Sequence, residues 1–407
     1  MKNIVVLGAG YAGLKTVVAL QKKLKNEVHI TLVDRNPYHY ETMRLYEVAS
    51  GAYPYTRMSY ELADELADVL NPKMTDLIVD EVEKVNIHEK TVDLKNHGAI
   101  AYDYCVLGLG FVLSDMGVRG AKENALPMSN VKEAEAIRDH IYAEMKAYKQ
   151  DRDIKHLSIV ICGAGFQAIE LAGALAEARP RLAKMAEAKP EDIRIQMIDA
   201  SPRLLPMFQG KLLDYALGLL DKNKIEIIKP AFVQEVTNDS VIYKMKDDDQ
   251  AKEIKAGIRI WMTGFSGSPV IDKSWFKNRR GRVMVTDHLT APESDDIYVL
   301  GDVSSVMVPG KKWPWPNTAQ MALSMANYAA KDIQSRVNQQ ARPAKYEYHD
   351  LGVVVAIGET QAAGKALGVG YKGYLASALK KIIIDKSLME TGGLKETFSV
   401  GRFDLYH

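Results

Sequence analysis

The chain has little cysteine, two in 407 residues. Cys105 and Cys162 lie far apart, each inside an apolar, strand-like run (YDYCVLGLG and LSIVIC), and neither belongs to a CxxC or other close pair. Buried, unreactive thiols are expected, and thiol–disulfide chemistry, which needs two redox-active cysteines held together, is excluded. An excess of charge of one sign is also missing. With 53 basic and 52 acidic side chains the net charge is +1, which argues against nucleic acid as a main partner. No run of about 18 apolar residues occurs, so no spanning helix is expected. The N-terminus enters a strand at once without a signal peptide, so the expectation is a protein that is made and stays in the cytoplasm. The length suffices for two or three domains, each with its own core.

What the chain does have is a glycine fingerprint, twice. Lys2 to Leu7 (KNIVVL) reads as a strand buried on both faces, followed by Gly8-Ala9-Gly10-Tyr11-Ala12-Gly13 and a helix beginning near Ala12. A second strand, His29 to Val33, ends in Asp34, 21 residues beyond Gly13 and placed to accept hydrogen bonds from a ribose. In such a unit the glycines permit a tight turn and close approach of backbone amides to a pyrophosphate, and the helix N-terminus adds partial positive charge. Placement within the first ten residues favours FAD as the occupant. The same grammar returns 155 residues later. Leu157 to Cys162 leads into Gly163-Ala164-Gly165-Phe166-Gln167-Ala168, and Ile193 to Ile198 ends in Asp199, 31 residues past Ala168. Pro180 is expected to break the helical run in this longer crossover. Asp199 would repel a 2′-phosphate but bond a 2′-hydroxyl, favouring NADH over NADPH, with Arg203 nearby as the counter-signal.

Further strands are expected at Val106 to Leu109 and at Ile297 to Leu300. The latter runs into Gly301-Asp302, whose carboxylate suits the ribityl or pyrophosphate part of a flavin dinucleotide. The resulting organisation is a FAD-binding domain in two parts, residues 1–113 and 262–335, a NADH-binding domain at 114–261, and a C-terminal segment at 336–407. Lys246 to Lys252 reads as a hairpin loop inside the NADH domain. Lys311 to Pro316 (KKWPWP) breaks regular structure ahead of a helical run, Thr318 to Ile333.

Together these residues resemble the type II NADH dehydrogenases, single-subunit NADH:quinone oxidoreductases, from the first strand to about residue 395. The matches are GAGYAGL at Gly8 to Leu14, Tyr38-His39-Tyr40-Glu41-Thr42, Leu107-Gly108-Leu109-Gly110-Phe111, GAGFQAIEL with Glu170, Leu205-Pro206-Met207-Phe208, Gly301-Asp302 and Thr318-Ala319-Gln320-Met321-Ala322. The resemblance implies an α/β chain with two Rossmann-like domains in the two-dinucleotide-binding flavoprotein fold, and a homodimer. By residues and resemblance, FAD is held by Gly8, Gly10, Tyr11, Ala12, Gly13, Asp34, Arg35, Thr42, Gly110, Asp302, Ala319 and Gln320. NADH is held by Gly163, Gly165, Phe166, Gln167, Glu170, Asp199 and Gly264. Glu170, Gln320 and Lys380 are the candidate catalytic residues. The resemblance places Gln320 on a quinone tunnel, Glu170 near the nicotinamide and flavin, and Lys380, beside Lys381, in the quinone pocket. Two departures stand out. The family motif continues Ala-Gln-x-Ala-x-Gln, but Ser324 occupies the last position here, and Gln167-Ala168 replace Thr-Gly.

Tyr371 to Ser387 carries apolar residues at Tyr374, Leu375, Ala378, Leu379, Ile382 and Ile383, with Lys372, Lys380, Lys381 and Lys386 as a basic rim. That spacing suits a helix lying in the headgroup region of a bilayer, or one packed on its own domain or on a dimer partner. The resemblance favours peripheral attachment to the cytoplasmic face of the membrane. The expected reaction is hydride transfer from NADH to FAD, then two-electron reduction of a quinone of the menaquinone or ubiquinone class. It needs no nucleophile or metal and pumps no protons. Two other readings keep the same fingerprints: a soluble flavin reductase using oxygen or a small electron carrier, and a non-catalytic redox-sensing flavoprotein.

Overall fold

Short aliphatic strands with no polar face must be covered on both sides, and here they form two parallel sheets. The computed structural model describes residues 1–24, 27–62, 70–248 and 250–403. Its first sheet runs, edge to edge, Thr290–Ala291, Ser294–Val299, Tyr104–Leu107, Lys2–Leu7, Val28–Asp34 and Thr75–Val79. All neighbours are parallel except the short Thr290–Ala291 edge strand. Strands from near residue 300 thus complete a sheet begun at residue 2, and this places Gly301-Asp302 beside the first glycine turn. The strand expected at Val106 to Leu109 lies two residues earlier, at Tyr104–Leu107. Gly108 is instead drawn into the glycine turn, where an added Cβ would lie 3.1 Å from the Gly13 nitrogen. The helix Tyr11–Leu24 covers one face of the sheet and packs, through Leu14, Val17 and Leu20, with Met325, Ala329 and Ile333 of the helix Ala319–Val337. Each such buried aliphatic side chain contributes about 1.5–3 kcal/mol.

The second sheet has the order Leu126–Pro127, Ile258–Trp261, Ser158–Cys162, Arg194–Ile198 and Ile225–Ile228, all parallel. The helices Val131–Asp151 and Phe166–Ala186 pack in the same apolar cluster. Phe111–Leu113 pairs antiparallel with Phe265–Gly267, so the two chain crossings between the sheets run side by side. Ser240–Met245 and Ala251–Lys255 form the expected hairpin; Asp249 in its loop lies outside the described residues.

Pro180 does not break its helix, contrary to expectation: Phe166–Ala186 is continuous through it. A mid-helix proline costs about 3 kcal/mol, and the residues on either side are tied down. Arg179 donates to the carbonyls of Ile193, Asn223 and Lys224, and Arg181 to that of Ser50.

Beyond residue 350 a three-stranded antiparallel sheet, Gly352–Ala356, Ala362–Ala366 and Val369–Lys372, leads into the helices Gly373–Thr391 and Gly393–Val400. Leu379 and Ile383 pack against this sheet, so the inward reading of the helix holds for one of its faces. The expected basic rim is half absent. Lys380 and Lys381 are buried, and only Lys372 and Lys386 face outward. The outer stripe is apolar, with Leu375, Ile382 and Met389 each at least half exposed. A buried carboxylate on a neighbouring helix, described below, draws Lys380 inward.

His156 clamps the second sheet's entry. One ring nitrogen lies 2.7 Å from Glu144 and the other 3.0 Å from Asp151. Burial opposes the charged form, but these carboxylates outweigh it and raise the imidazole pKa. Its stabilising contribution is therefore complete below about pH 6.5 and is lost as pH rises through the raised value. The melting-temperature gap between the protein and His156→Gln is expected to narrow by about 2 °C for each kcal/mol lost between pH 6 and pH 9, measured by differential scanning fluorimetry.

Candidate active site

The two glycine turns are held by the same set of hydrogen bonds. Gly8 N donates to Val33 O at 2.7 Å, Ala9 N to Asp34 Oδ2 at 2.7 Å, and Asn36 N to Asp34 Oδ1 at 2.8 Å. In the second unit Gly163 N donates to Ile198 O at 2.8 Å, Ala164 N to Asp199 Oδ2 at 2.7 Å, and Ser201 N to Asp199 Oδ1 at 2.7 Å. Each acid therefore closes its own turn and keeps further lone pairs for a ribose. Burial raises the Asp34 carboxyl pKa, against the backbone N–H groups of Ala9 and Asn36.

The glycines divide by function. An added Cβ at Gly8 would lie 2.3 Å from Gly108 O, with φ at +97°, and one at Gly13 would lie 1.8 Å from Gly8 O. The protein's own packing demands these two. At Gly10 and Gly165 the added Cβ meets nothing within 4 Å. Their smallness serves a group approaching from outside, which fits a pyrophosphate. A cleft of about 400 Å³ opens at the first turn, lined by Gly8, Gly10, Tyr11, Ala12, Asp34, Arg35, Thr42, Gly110, Asp302 and Ala322, among others. Nine of the twelve residues expected to hold FAD meet here, all but Gly13, Ala319 and Gln320, and the lining suits an adenosine ribose at Asp34 and a ribityl chain at Asp302. Burial raises the Asp302 pKa, with Arg282 opposing. Gly13 lies behind the cleft wall, and Ala319 opens the helix that Thr318 caps.

Around the second turn, Phe166 packs edge-on to Phe208, and Gln167 reaches across to the Thr42 carbonyl at 3.5 Å. The Gln167 Oε1 atom is buried without a protein partner, an acceptor suited to a ligand amide. Gly264, expected to touch NADH, sits at the crossing between the sheets, where an added Cβ would lie 2.3 Å from Ser114 O.

Glu170 and Lys380, 210 positions apart, form a buried ion pair at 2.9 Å, and Glu170 also accepts from Ala356 N at 3.1 Å. Burial raises the Glu170 pKa, with Lys380 as the main opposing influence. Behind the pair lies a second cavity of about 290 Å³, lined by Glu47, Glu359, Ser377, Lys380, Lys381 and Arg402 among others. Gln320 does not line either cavity. Its amide donates to His349 O at 3.1 Å. Sequence reasoning named Tyr11 and the motif that holds Glu41, but missed the contacts that link the cleft to the C-terminal helix. Tyr11 donates to the fully buried Glu41 at 2.8 Å, and Ser387 donates to the same carboxylate at 3.0 Å. Arg44 and Arg402 both pair with buried Glu47, and Arg44 also donates to Val400 O. The signal available was charge inside an otherwise apolar motif, YHYETMRLYE.

A family model for pyridine nucleotide-disulphide oxidoreductases matches residues 2–326. A type II NADH:quinone oxidoreductase of Staphylococcus haemolyticus is 34% identical over 405 residues, 99% of each chain, and its Staphylococcus aureus counterpart is 31% identical over the same span. The chain belongs to the type II NADH:quinone oxidoreductase family. Among solved structures, NDH2 from Plasmodium falciparum in complex with NADH superposes with a TM-score of 0.86 at 16% identity, covering 98% of this chain and 97% of that one. The sulfide:quinone oxidoreductase of Aquifex aeolicus reaches 0.78 at 21% identity, covering 98% and 94%. At these identities the likeness is one of fold. Cys105 and Cys162 lie fully buried in different sheets, where burial pushes the Cys162 thiol up to about 12 and the Cys105 thiol also upward. Neither thiol has a redox partner here, whatever disulphide chemistry other members of the wider family carry out.

The two kinds of glycine are separable by experiment. Gly13→Ala is expected to destabilise the fold by about 3 kcal/mol or more, read by chemical denaturation. Gly10→Ala should leave the denaturation midpoint of the apoprotein in place and weaken FAD retention by about 1–3 kcal/mol, read by flavin fluorescence after gel filtration.

Proposed function

We propose that the protein is a flavin-dependent NADH:quinone oxidoreductase that works at the membrane surface without pumping protons. The observation that carries the reading is the pair of matched cradles, one opening on a cleft that fits FAD, in a chain that shares its full length with named type II NADH:quinone oxidoreductases. FAD, held by the cleft residues Gly10, Asp34 and Asp302, would supply the hydride-accepting and electron-donating chemistry between NADH and a quinone. This chain's part is placement. Gly10 and Gly165 let the backbone meet each pyrophosphate, and Asp34 and Asp199 receive the riboses. Gln167 and Thr42 sit where the two units touch, which suits the junction of nicotinamide and flavin. Asp199 favours NADH over NADPH. Glu170 and Lys380 are the proton-handling groups, and the cavity that Lys380 lines leaves room for water beside the pair.

Among the described residues no helix is long and apolar enough to cross a membrane. Attachment is peripheral, on the cytoplasmic face, through the outer stripe Leu375, Ile382 and Met389, which continues in the exposed Leu394, Phe398 and Phe403. The division into residues 1–113 with 262–335, 114–261 and 336–407, and assembly as a homodimer, belong to the same reading.

Anaerobic addition of NADH to the holoprotein is expected to bleach the flavin, and a menaquinone or ubiquinone analogue to restore its colour. Rapid bleaching with no reoxidation by quinone would leave a soluble flavin reductase, and no bleaching would leave a redox sensor. For the membrane, deleting the C-terminal segment is too blunt, because Lys380 and Arg402 hold buried carboxylates. The triple change Leu375→Glu, Ile382→Glu, Met389→Glu alters exposed positions alone. It should abolish co-sedimentation with anionic vesicles while preserving the circular dichroism spectrum; retained binding would rule out attachment through this stripe.

A further inference from the structure

The two glycine turns match at their acids and differ at one carbonyl. In the first turn the Ala9 carbonyl oxygen lies 2.7 Å from Nδ1 of His39. Among the described residues nothing donates to the Ala164 carbonyl, its counterpart in the second turn. His39 stands five residues beyond Asp34, whereas the fifth residue beyond Asp199 is Leu204, a buried apolar side chain. The imidazole is carried on the short strand Tyr38–Tyr40, opposite Tyr60 of Ser59–Glu61. Its ring stands edge-on to Tyr11 at 5.8 Å and packs on Tyr60 at 5.0 Å. At 1% exposure it acts on a bound group through the turn rather than by touching it.

A carbonyl oxygen can only accept, so Nδ1 carries the ring proton and donates it to Ala9. The peptide joining Ala9 to Gly10 is trans and planar, so fixing its oxygen fixes its N–H on the opposite side. That Gly10 N–H makes no hydrogen bond among the described residues, and Gly10 is the glycine whose added Cβ meets nothing within 4 Å. His39 thereby sets the direction of an N–H that is left for a phosphate oxygen. The other ring nitrogen, Nε2, is buried without a hydrogen-bond partner, with Glu41 Oε1 3.8 Å away. A buried nitrogen left in that state costs stability, and at the matching place in the second unit an apolar side chain fills the space. The bond to Ala9 is what the imidazole adds.

We propose that His39 is a positioning residue for FAD. By clamping the Ala9 carbonyl it preorganises the first turn for a pyrophosphate that stays through every turnover, while the unclamped second turn suits a dinucleotide that must leave. The inference rests on the reading of the first turn as the FAD cradle and the second as the NADH cradle.

The test follows FAD release from the holoprotein on dilution by flavin fluorescence, NAD+ binding by calorimetry, and the melting temperature of the apoprotein. His39→Leu copies the second turn. It should raise the FAD dissociation constant about fivefold, the worth of one hydrogen bond, leave NAD+ binding in place, and not lower the apoprotein melting temperature. His39→Asn, whose amide N–H can replace the Nδ1 proton, should restore FAD retention, a rescue that a merely structural histidine would not show. If His39→Leu is poorly folded, His39→Asn and His39→Gln serve, because the longer side chain carries its amide to the Nε2 position and past Ala9. The glutamine variant should then release FAD about fivefold more readily than the asparagine variant. Unchanged FAD affinity in His39→Leu, or equal retention by the two amide variants, would overturn the assignment and leave the cradle reading standing. So would a loss of FAD that comes with a lowered apoprotein melting temperature and no rescue by asparagine. An unsubstituted protein that binds no FAD would overturn both.

Discussion

The ion pair between Lys380 and Glu170 joins parts of the chain that no local rule connects. Glu170 lies in the first turns of the second glycine helix, and Lys380 lies in the middle of a helix formed 210 residues later. Breaking such a pair by removing one partner costs about 3–5 kcal/mol, because the remaining charge is stranded away from water. The commitment is reinforced on the same helix face. Two turns further along, Ser387 bonds Glu41, which also receives the hydroxyl of Tyr11 from the first fingerprint. One face of one helix is therefore hydrogen-bonded to residues of both nucleotide units. Its opposite face turns Leu375, Ile382 and Met389 outward, with Lys386 among them.

The close packing around this contact explains the glycine at position 173. At Gly173 an added Cβ would lie 2.8 Å from the backbone of Ile357, so the second glycine helix touches the C-terminal segment directly, main chain against main chain. Glu177, one turn on, accepts from Glu359 N. The contact also turns Glu170 from a first-turn helix acid into a buried group whose pKa is raised, paired with a lysine that lines a cavity of about 290 Å³. A carboxyl in that setting can exchange a proton where an exposed one would simply stay ionised.

The two cradles were legible because each is a local pattern. A strand, a glycine turn, a helix and an acid at the next strand end are set by neighbours in sequence, and the structure repeats their hydrogen bonds almost bond for bond at Asp34 and Asp199. Local rules misled where tertiary contacts outweighed them. Pro180 was expected to end a helix, and the bonds of Arg179 and Arg181 carry the helix through it. Lys380 and Lys381 had the spacing of a basic rim, yet the buried acid at Glu170 draws Lys380 inward. The three-stranded sheet at Gly352–Lys372 went unread, and so did the segment crossing Ser324.

By itself the sequence determined the α/β class, the two glycine turns and the acids that close them, and the absence of a redox cysteine pair. All of these follow from residue type and short-range spacing. Only the tertiary structure decided which glycines serve packing and which leave room for a pyrophosphate, that Glu170 answers to Lys380, and that Tyr346 stands against Ser324. Those relations depend on which distant segments are pressed together when apolar surface is buried, and no spacing along the chain encodes that distance.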